Sequence, residues 1–323
     1  MNTVQTGKIL GIGAALVDIL IEESDAFVAS LGSEKGGMTM VDADFSNSAL
    51  AKTQAKSQVV PGGSACNTLV GLGRLGAAAS FIGRVGNDEK GAFFSEGILA
   101  SGIDAKLIRS EESTGRVLSV VTPDAQRSMY TFLGAAAQLV PADLEAVNWS
   151  EISLIHLEGY LAFNEPMFRA IFAAAKQHNV KVSLDLSSFD VVNFMRPLLE
   201  EFIPQVYMLI ANEDEAKAYT GVEEEEALKV IAQKVPVAIV KLGARGSLIQ
   251  ENGIVSRASA KMVQALDTTG AGDLWAAGFL YGWQKGFAWQ KCAEIGSVVA
   301  AEVVQVMGAQ ISAEGWARIQ SEI

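Results

Sequence analysis

The chain alternates between short apolar runs and longer stretches with helical spacing, and this rhythm is clearest after Pro141. There ISLIHLEG, VKVSLDLS, VYMLIAN and VAIVKLG are each followed by a segment with a different pattern, such as EPMFRAIFAAAKQHN after the first. Strands that alternate with helices predict a mostly parallel sheet with helices on both faces. The last part, from GDLWAAGFLYGWQKG to AEGWARIQSEI, is predicted to be helical.

The first half of the chain departs from this rhythm, which indicates a small insertion. KILGIGAALVDILIE predicts a buried first strand, and the polar, irregular segment from about Ser24 to Val60 contains one short strand candidate, KGGMTMVD. RVLSVVT and RSMYTFLG flank the turn signal PDAQ and predict a β-hairpin of half-exposed strands. We therefore predict a core and a discontinuous β-sheet lid. The core comprises residues 1–15, 61–103 and 136–323, and the lid comprises residues 16–60 and 104–135.

Composition and charge narrow the class of protein. The 323 residues are half apolar and carry a formal charge of −12, which disfavours binding to nucleic acid through phosphates. Cys66 and Cys292 lie far apart in apolar surroundings, so we expect buried, reduced thiols. Neither a basic, apolar leader nor an apolar run of membrane-spanning length is evident. We expect a cytoplasmic protein that binds neither nucleic acid nor a membrane.

The segment DTTGAGDLWAAGFL combines polar and flexible residues with an abrupt apolar run. It predicts a helix that begins near Thr269 or Gly270, whose first amides lack intrahelical partners and form an anion site. Asp273 would lie in the first turn, where it could accept the proton of a hydroxyl that attacks a phosphate. Taken alone, the segment is more simply explained as a capped helix start.

Three further stretches are candidate ligand contacts. PGGSACNT places two glycines before a helix that carries Asn67, which fits a close backbone approach to a ligand or a plain loop-to-helix junction. ANEDEA follows an apolar strand and puts Asn212 and Glu215 on one side of a helix start, where they could organise hydrated Mg²⁺ and phosphate, or simply cap the helix. KLGARGSLI fits a backbone contact to a nucleotide, and alone it is better explained as a hairpin turn.

The absence of several motifs argues against a metal hydrolase, a dehydrogenase and a serine hydrolase. There is no G-x-x-x-x-G-K-[ST] and no G-x-S-x-G, and GIGAAL has Leu16 at the third glycine position of the dinucleotide fingerprint. The two histidines, His156 and His178, cannot supply a zinc cluster, and His156 on an apolar strand is typical of a core residue.

Together and in this order, these stretches resemble the ribokinase-like (PfkB) carbohydrate kinase family over nearly the whole chain. GGSACNT and DTTGAGD are specific as a pair, and KGGMTMVD with RSMYTFLGAAA brings the chain closer to the adenosine-kinase-like branch. The resemblance implies a three-layer α/β/α core with a mostly parallel sheet and a small β lid. It also implies transfer of the γ-phosphoryl group of ATP to a primary hydroxyl of a sugar or nucleoside.

The resemblance also implies roles for single residues. Asp273 matches the catalytic base, and Arg127 matches a lid arginine that can reach phosphate, although it would serve equally as a solvated strand charge. The anion hole that neutralises the transferring phosphoryl group is matched by Gly270, Ala271 and Gly272. The acceptor contacts are matched by Asp18, which grips two hydroxyls, and by Gly62, Gly63 and Asn67.

On the nucleotide side the resemblance implies two kinds of metal as well as ATP. Asn212 and Glu215 match an element that serves Mg²⁺ through water. Asp267 and Thr269 match part of a monovalent-cation loop in which K⁺ would shape the anion hole. The nucleotide contacts themselves are matched by Asn212, Glu215, Lys241, Gly243 and Gly246.

One departure leaves the acceptor open. Adenosine-type kinases often have Asn where this chain has Ala14, so a potential acceptor contact is lost. An adenosine-like acceptor is slightly favoured over ribose, ketohexose or another sugar. A non-catalytic regulator that only binds such a ligand is disfavoured, since it has no need of Asp273. A monomer and a lid-mediated homodimer both fit the sequence.

Overall fold

The structure is a computed structural model that describes residues 3–32, 35–124 and 126–323. Its strands are β1 (Lys8–Ile12), β2 (Leu16–Glu22), β3 (Gly37–Met40), β4 (Gln58–Gly62), β5 (Ala79–Gly86), β6 (Asp104–Ser110), β7 (Thr114–Val121), β8 (Arg127–Gly134), β9 (Ile152–Glu158), β10 (Lys181–Asp185), β11 (Met208–Asn212), β12 (Val237–Lys241), β13 (Ser247–Glu251) and β14 (Ile254–Ala258). Its helices are α1 (Asp25–Ser30), α2 (Ala43–Lys52), α3 (Ser64–Arg74), α4 (Glu89–Leu99), α5 (Glu165–His178), α6 (Phe189–Phe194), α7 (Arg196–Phe202), α8 (Glu213–Thr220), α9 (Glu224–Ala232), α10 (Ala271–Gln284), α11 (Trp289–Val303) and α12 (Ala313–Glu322).

The larger sheet has the order β14-β13-β12-β11-β10-β9-β1-β5-β6. Every ladder from β12 to β6 is parallel, and β13 and β14 are added antiparallel at one edge. Alternate residues of a strand face opposite sides of the sheet. Ile9 accordingly packs in one apolar cluster with α3, α10 and α11, whereas Leu10 and Ile12 pack in the other with α5 and α7. The predicted parallel sheet with helices on both faces is confirmed.

The smaller sheet has the order β3-β8-β7-β2-β4, and its β7–β8 pair is the predicted hairpin. The segment that we expected to be irregular contains two helices, α1 and α2. Helix α2 begins at Asp42, whose carboxylate accepts the Phe45 amide at 2.7 Å. It packs on the sheet through the rings of Phe45 and Tyr130 and through buried Arg116, and this face of the lid belongs to the same apolar cluster as α3 and α10.

Two assignments that we made from the sequence were wrong, one of a single strand and one of a segment to the lid. KILGIGAALVDILIE is not one strand, because β1 ends at Ile12 in the larger sheet and β2 begins at Leu16 in the smaller one. The segment Asp104–Ser110, which we assigned to the lid, pairs in parallel with β5 as an edge strand of the larger sheet. An edge strand is half exposed, so its sequence does not differ from that of a half-exposed lid strand. The other limits of our core and lid division stay predictions.

Other features of composition can be compared with the structure directly. Cys66 and Cys292 are both buried and free of disulfides, as predicted. Among the residues that the structure describes, none of the helices combines the length and the apolar character that a bilayer span requires.

The turn between β12 and β13 gives a first testable prediction. Gly246 has φ 95° and ψ −134°, a conformation that is almost restricted to glycine, and a Cβ there would overlap the Ala258 carbonyl oxygen. Gly253, in the next turn, has φ 79° and open space around the Cβ position. We expect Gly246→Ala to lower the free energy of unfolding by about 3 kcal/mol or more and Gly253→Ala by about 1 kcal/mol. Urea denaturation measures both, and equal losses would contradict the assignment of the Gly246 turn as constrained.

Candidate active site

Four neighbouring strands of the larger sheet each end on a polar side chain. β9 ends on Glu158, β10 on Asp185, β11 on Asn212 and β12 on Lys241. The strands are parallel, with Asp185 beside Glu158 and Asn212 beside Lys241, and β11 extends two residues beyond the end of β10 because Asp185 pairs with Ile210. The carboxyl edge of an open α/β sheet is where such folds bind ligands, so this row of side chains outlines the candidate site.

Helix α10 begins at the same edge and presents its first turn to it. Gly270 is the N-cap with φ 71°, and no side chain caps the helix. The Ala271 amide already donates to the Thr268 carbonyl at 3.1 Å, which leaves the amides of Gly272 and Asp273 as the stronger candidates for anion donors. The Lys241 ammonium lies 3.2 Å from the position of a Cβ on Gly272. A cation and helix-terminal amides therefore converge on one point.

The carboxylate of Asp273 is held by the start of helix α3. Ser64 Oγ donates to Oδ1 at 2.7 Å, and Asn67 Nδ2 donates to Oδ2 at 2.9 Å. Burial raises the pKa of Asp273 to about 6, the two hydrogen bonds oppose that shift, and the charge of Asp185 adds to it. At neutral pH Asp273 is thus mostly ionised, and its proton affinity is higher than that of an ordinary aspartate.

Asp18 lies on the lid side of the site, inside β2 rather than at the end of the first strand. Its carboxylate occupies the space that a side chain at Gly62 would need, because β2 and β4 pair at this point. Burial raises the pKa of Asp18 to about 7, Arg127 lowers it, and Asp273 raises it further. The predicted residues of the acceptor side therefore converge on one region, next to Asp273.

Lys241 is paired with Asp185 across the ends of their strands. Lys241 Nζ donates to Asp185 Oδ2 at 2.8 Å, and the Ser187 amide donates to Oδ1 at 2.9 Å. Burial lowers the pKa of Lys241, but the charges of Asp185 and Glu215 outweigh it and raise the pKa above its usual value. Lys241 is therefore a permanent cation at this edge.

His156 lies deeper in the sheet than the Lys241–Asp185 pair, two residues before the end of β9, and packs as a core residue. Its Nδ1 is 3.3 Å from Ser183 Oγ, and burial is the main cause that lowers the pKa of His156 to about 4. The ring is neutral at physiological pH, in agreement with the core assignment made from the sequence.

Asn212 and Glu215 form a complete capping box at the start of α8. Glu215 accepts from the Asn212 amide at 2.8 Å and from Asn212 Nδ2 at 2.7 Å, while the Glu215 amide donates to Asn212 Oδ1 at 2.9 Å. Burial first, and the charge of Asp185 second, raise the pKa of Glu215 to about 7. Each carboxylate oxygen of Glu215 thus accepts one hydrogen bond from Asn212.

Asp267 and Thr269 close the loop that leads into α10. Asp267 Oδ1 accepts from the amide and the hydroxyl of Thr269, at 2.9 and 2.5 Å, and Oδ2 accepts from the Gly308 amide at 2.8 Å. The Arg127 guanidinium lies 4.0 Å from the same carboxylate. The loop is thereby joined to the segment after α11 on one side and to the lid on the other.

The Gly243–Gly246 turn follows β12, the strand that ends on Lys241. Gly243 has φ 53°, and Arg245 between the two glycines forms ion pairs with Glu213 and Glu224. The turn is thereby fixed to the beginnings of α8 and α9.

Three contributors to this site were missed in the sequence. Glu158 and Asp185 each end an apolar strand, the same signal that had drawn attention to Asn212. Ser64 stands inside GGSACNT, beside the Asn67 that we did select. Within the described part of the chain, no group of three His, Cys, Asp or Glu side chains is arranged to hold a metal directly.

Comparison with known proteins identifies the family. The model of the pfkB family of carbohydrate kinases matches residues 30–316. This chain belongs to that family. It is therefore a PfkB-type sugar or nucleoside kinase with the ribokinase-like fold, as the sequence resemblance implied.

Individual relatives cover most of the chain. The crystal structure of an adenosine kinase from Sinorhizobium meliloti is 31% identical, with a TM-score of 0.89 over 98% of this chain and 100% of that one. A probable sugar kinase from Rhizobium etli CFN 42 is 29% identical, with a TM-score of 0.90 over 98% and 99% of the two chains. A ribokinase from Haemophilus influenzae is 29% identical over 270 residues, which are 79% of this chain and 84% of the relative.

The contacts of Asp273 predict how its pKa responds to mutation. Ser64→Ala and Asn67→Ala each remove a donor to the carboxylate, so the charged form loses stabilisation and the pKa should rise above its value of about 6. Thr68→Val is a matched control, because Thr68 Oγ1 donates to the Asp273 backbone carbonyl and not to the carboxylate. NMR titration of the ¹³C-labelled aspartate carboxyls measures all three variants. An unchanged pKa in both Ser64→Ala and Asn67→Ala would contradict the role given to α3.

Proposed function

We propose that this kinase transfers the γ-phosphoryl group of ATP to a primary hydroxyl of a nucleoside or sugar, with an adenosine-like acceptor favoured. The observation that carries the proposal is the position of Asp273. Its carboxylate is electrostatically coupled to Asp18 on the lid side, and its own amide is part of the first turn of α10 beside Lys241. A base is thus placed between an acceptor site and an anion site.

The proposed chemistry follows from these positions. Asp18 accepts hydrogen bonds from acceptor hydroxyls and orients the primary hydroxyl toward Asp273, which takes its proton as the oxygen attacks the phosphorus. The amides of Gly272 and Asp273 and the Lys241 ammonium stabilise the negative charge that develops on the phosphoryl oxygens. The pKa of about 6 makes Asp273 a better base than an ordinary aspartate while it is still ionised at pH 7.

The charge balance of the site fits a hydrated Mg²⁺. The charge of Asp185 raises the pKa of both Glu215 and Asp273, and Lys241 is the cation that lowers both. An excess of carboxylates suits a divalent cation held through waters and phosphate oxygens. When bound, the ion would neutralise charge on the phosphates, and Asn212 and Glu215 would orient its water shell.

The proposal extends to the monovalent cation and to the lid. Asp267, whose pKa is lowered by bonds to Thr269 and Gly308 against the effect of burial, supplies a negative charge at the loop where K⁺ would be held. Lid closure would exclude water, which otherwise competes with the acceptor for the phosphoryl group. A cytoplasmic enzyme, as a monomer or as a lid-mediated dimer, belongs to the same proposal.

A sugar acceptor is the second candidate. The structural similarity to the Sinorhizobium meliloti adenosine kinase is matched by that to the Rhizobium etli probable sugar kinase. Ala14, at the edge of the acceptor site, also offers no polar side chain for a nucleoside. The alternative of a regulator without catalysis leaves the ordered base at Asp273 without a use.

The experiment that tests the function is an acceptor screen. ADP release is followed with ATP and Mg²⁺ over nucleosides, pentoses and hexoses, with K⁺ or Na⁺ as the only monovalent cation. We expect at least one acceptor to raise ADP release well above the rate with ATP alone, and we expect K⁺ to support faster turnover than Na⁺. Ligands that raise the melting temperature without any acceptor-dependent ADP release would refute the kinase function.

The role of Asp273 is tested by Asp273→Asn. Loss of a general base should lower kcat by about 10²- to 10⁴-fold, while binding of ATP, measured by calorimetry, persists. The exposed Asp190→Asn in α6 is the control and should keep the wild-type kcat. In the wild type, kcat should fall as pH drops through about 6, because protonation of Asp273 removes the base. A nearly normal kcat in Asp273→Asn would remove Asp273 from this role.

A further inference from the structure

Glu158, the last residue of β9, is a buried carboxylate that the proposed chemistry does not use. It is 3% exposed. Its Oε1 accepts the Ala14 amide at 3.0 Å, and its Oε2 accepts the Ala65 amide at 2.8 Å. One side chain of the core sheet therefore binds two backbone segments that are 51 positions apart in the sequence.

Both of these backbone segments connect the core to the lid. Ala14 lies between β1 of the larger sheet and β2 of the smaller one. Ala65 follows the point where the chain leaves β4 and begins α3. The two segments also touch each other, since the space beside Gly63 is filled by the Ala14 carbonyl. Glu158 thus holds the start and the end of the first lid segment in one place.

Each held segment leads directly to a residue of the candidate site. Beyond Ala14 the chain continues into β2, which carries Asp18. Ala65 lies between Ser64 and Asn67, whose side chains hold the Asp273 carboxylate. A small shift at Glu158 would therefore move the acceptor-binding carboxylate and the donors to the base together.

Stability alone is a poor explanation for a carboxylate here. A buried charge is expensive unless it is fully compensated, and two amide donors compensate it only in part. Burial raises the pKa of Glu158 to about 7, the two amides oppose that shift, and the charge of Asp273 adds to it. A side chain that is unfavourable where it lies, yet joins two functional segments, is expected at a site that needs accurate positioning.

We propose that Glu158 is a positioning residue that couples the two segments joining core and lid, at Ala14 and Ala65, to the proposed base Asp273. The inference rests on the proposed function only for its effect on turnover. The two carboxylate oxygens of Glu158 accept hydrogen bonds from the Ala14 and Ala65 amides at once, so Glu158→Gln breaks one of these two hydrogen bonds. The glutamine side chain has a single acceptor oxygen, and its NH₂ group would face one of the two backbone N–H donors.

The test is Glu158→Gln, compared with Asp143→Asn as a matched control. Asp143 is also a buried carboxylate that accepts hydrogen bonds from two residues, Arg84 and Val140. Neither of these belongs to the two segments that Glu158 holds. We expect kcat in Glu158→Gln to fall by about 10- to 100-fold, because misplacing reacting groups by about 1 Å can cost about 100-fold. The KM for ATP should stay near the wild-type value, and a larger share of ATP should be hydrolysed without acceptor. Asp143→Asn should lose thermal stability and keep wild-type kcat and coupling.

A second measurement does not depend on activity. Residue-resolved hydrogen exchange should show the Ala14 or the Ala65 amide losing protection in Glu158→Gln and keeping it in Asp143→Asn. If Glu158→Gln does not fold, Glu158→Asp is measured in the same way, since the shorter carboxylate cannot reach both amides.

The possible results separate this inference from the proposed function. A wild type with no acceptor-dependent turnover refutes the function, while the exchange data still test the link. An active wild type with Glu158→Gln equal to it in kcat and coupling overturns the positioning role. A change confined to the acceptor KM, different for different acceptors, would also overturn it by placing Glu158 on the acceptor itself.

Discussion

The contact between the first turns of α3 and α10 is the constraint on which the site depends. Asp273 belongs to α10, but the hydrogen bonds that orient its carboxylate come from Ser64 and Asn67 of α3. Gly71 allows the two helices to approach closely, since a Cβ at this position would lie only 2.6 Å from the Ala277 Cβ. The apolar residues behind Asp273 bury α10 in the core on both sides of this contact. The helix terminus is therefore held by packing at the point where the proposed reaction would develop charge, and such dipoles are effective when they are preorganised.

The carboxyl edge of the larger sheet and the adjoining lid strand β2 carry more negative charge than the stability of the fold would favour. Burial raises the pKa values of Asp18, Glu158, Glu215 and Asp273 to between about 6 and 7, so all of them resist ionisation in the folded state. Backbone amides and Lys241 offset part of that effect. In this kind of site, carboxylates that destabilise the ligand-free protein are retained for what they do with bound ligands.

Local patterns predicted the parts of this fold whose neighbours lie nearby in the sequence. The β7–β8 hairpin and the strand–helix alternation after Pro141 could be read from periodicity and turn residues, and DTTGAGD with GGSACNT pointed to the base and to Asn67. Long-range pairing was beyond those patterns. Nothing local distinguishes β6, paired with β5, from a lid strand, and nothing in GIGAAL shows that the chain changes sheets between Ile12 and Leu16. Asn212 was selected as a strand-end residue, and the same rule applied to every strand would have found Glu158 and Asp185.

The arrangement of side chains divides the site into two halves of different construction. The proposed nucleotide half is built on strand ends and helix starts of the core alone, with Asn212 and Glu215 tied to each other and Lys241 tied to Asp185. The proposed acceptor half is built across the two sheets, since Asp18 belongs to the lid and Asp273 to the core. It therefore depends on the segments that join them. Those segments carry few polar anchors of their own, because Gly13, Ala14, Gly63 and Ala65 offer only backbone groups. A carboxylate with two acceptor oxygens in the core sheet is the simplest device that fixes both segments at once, and Glu158 occupies that position.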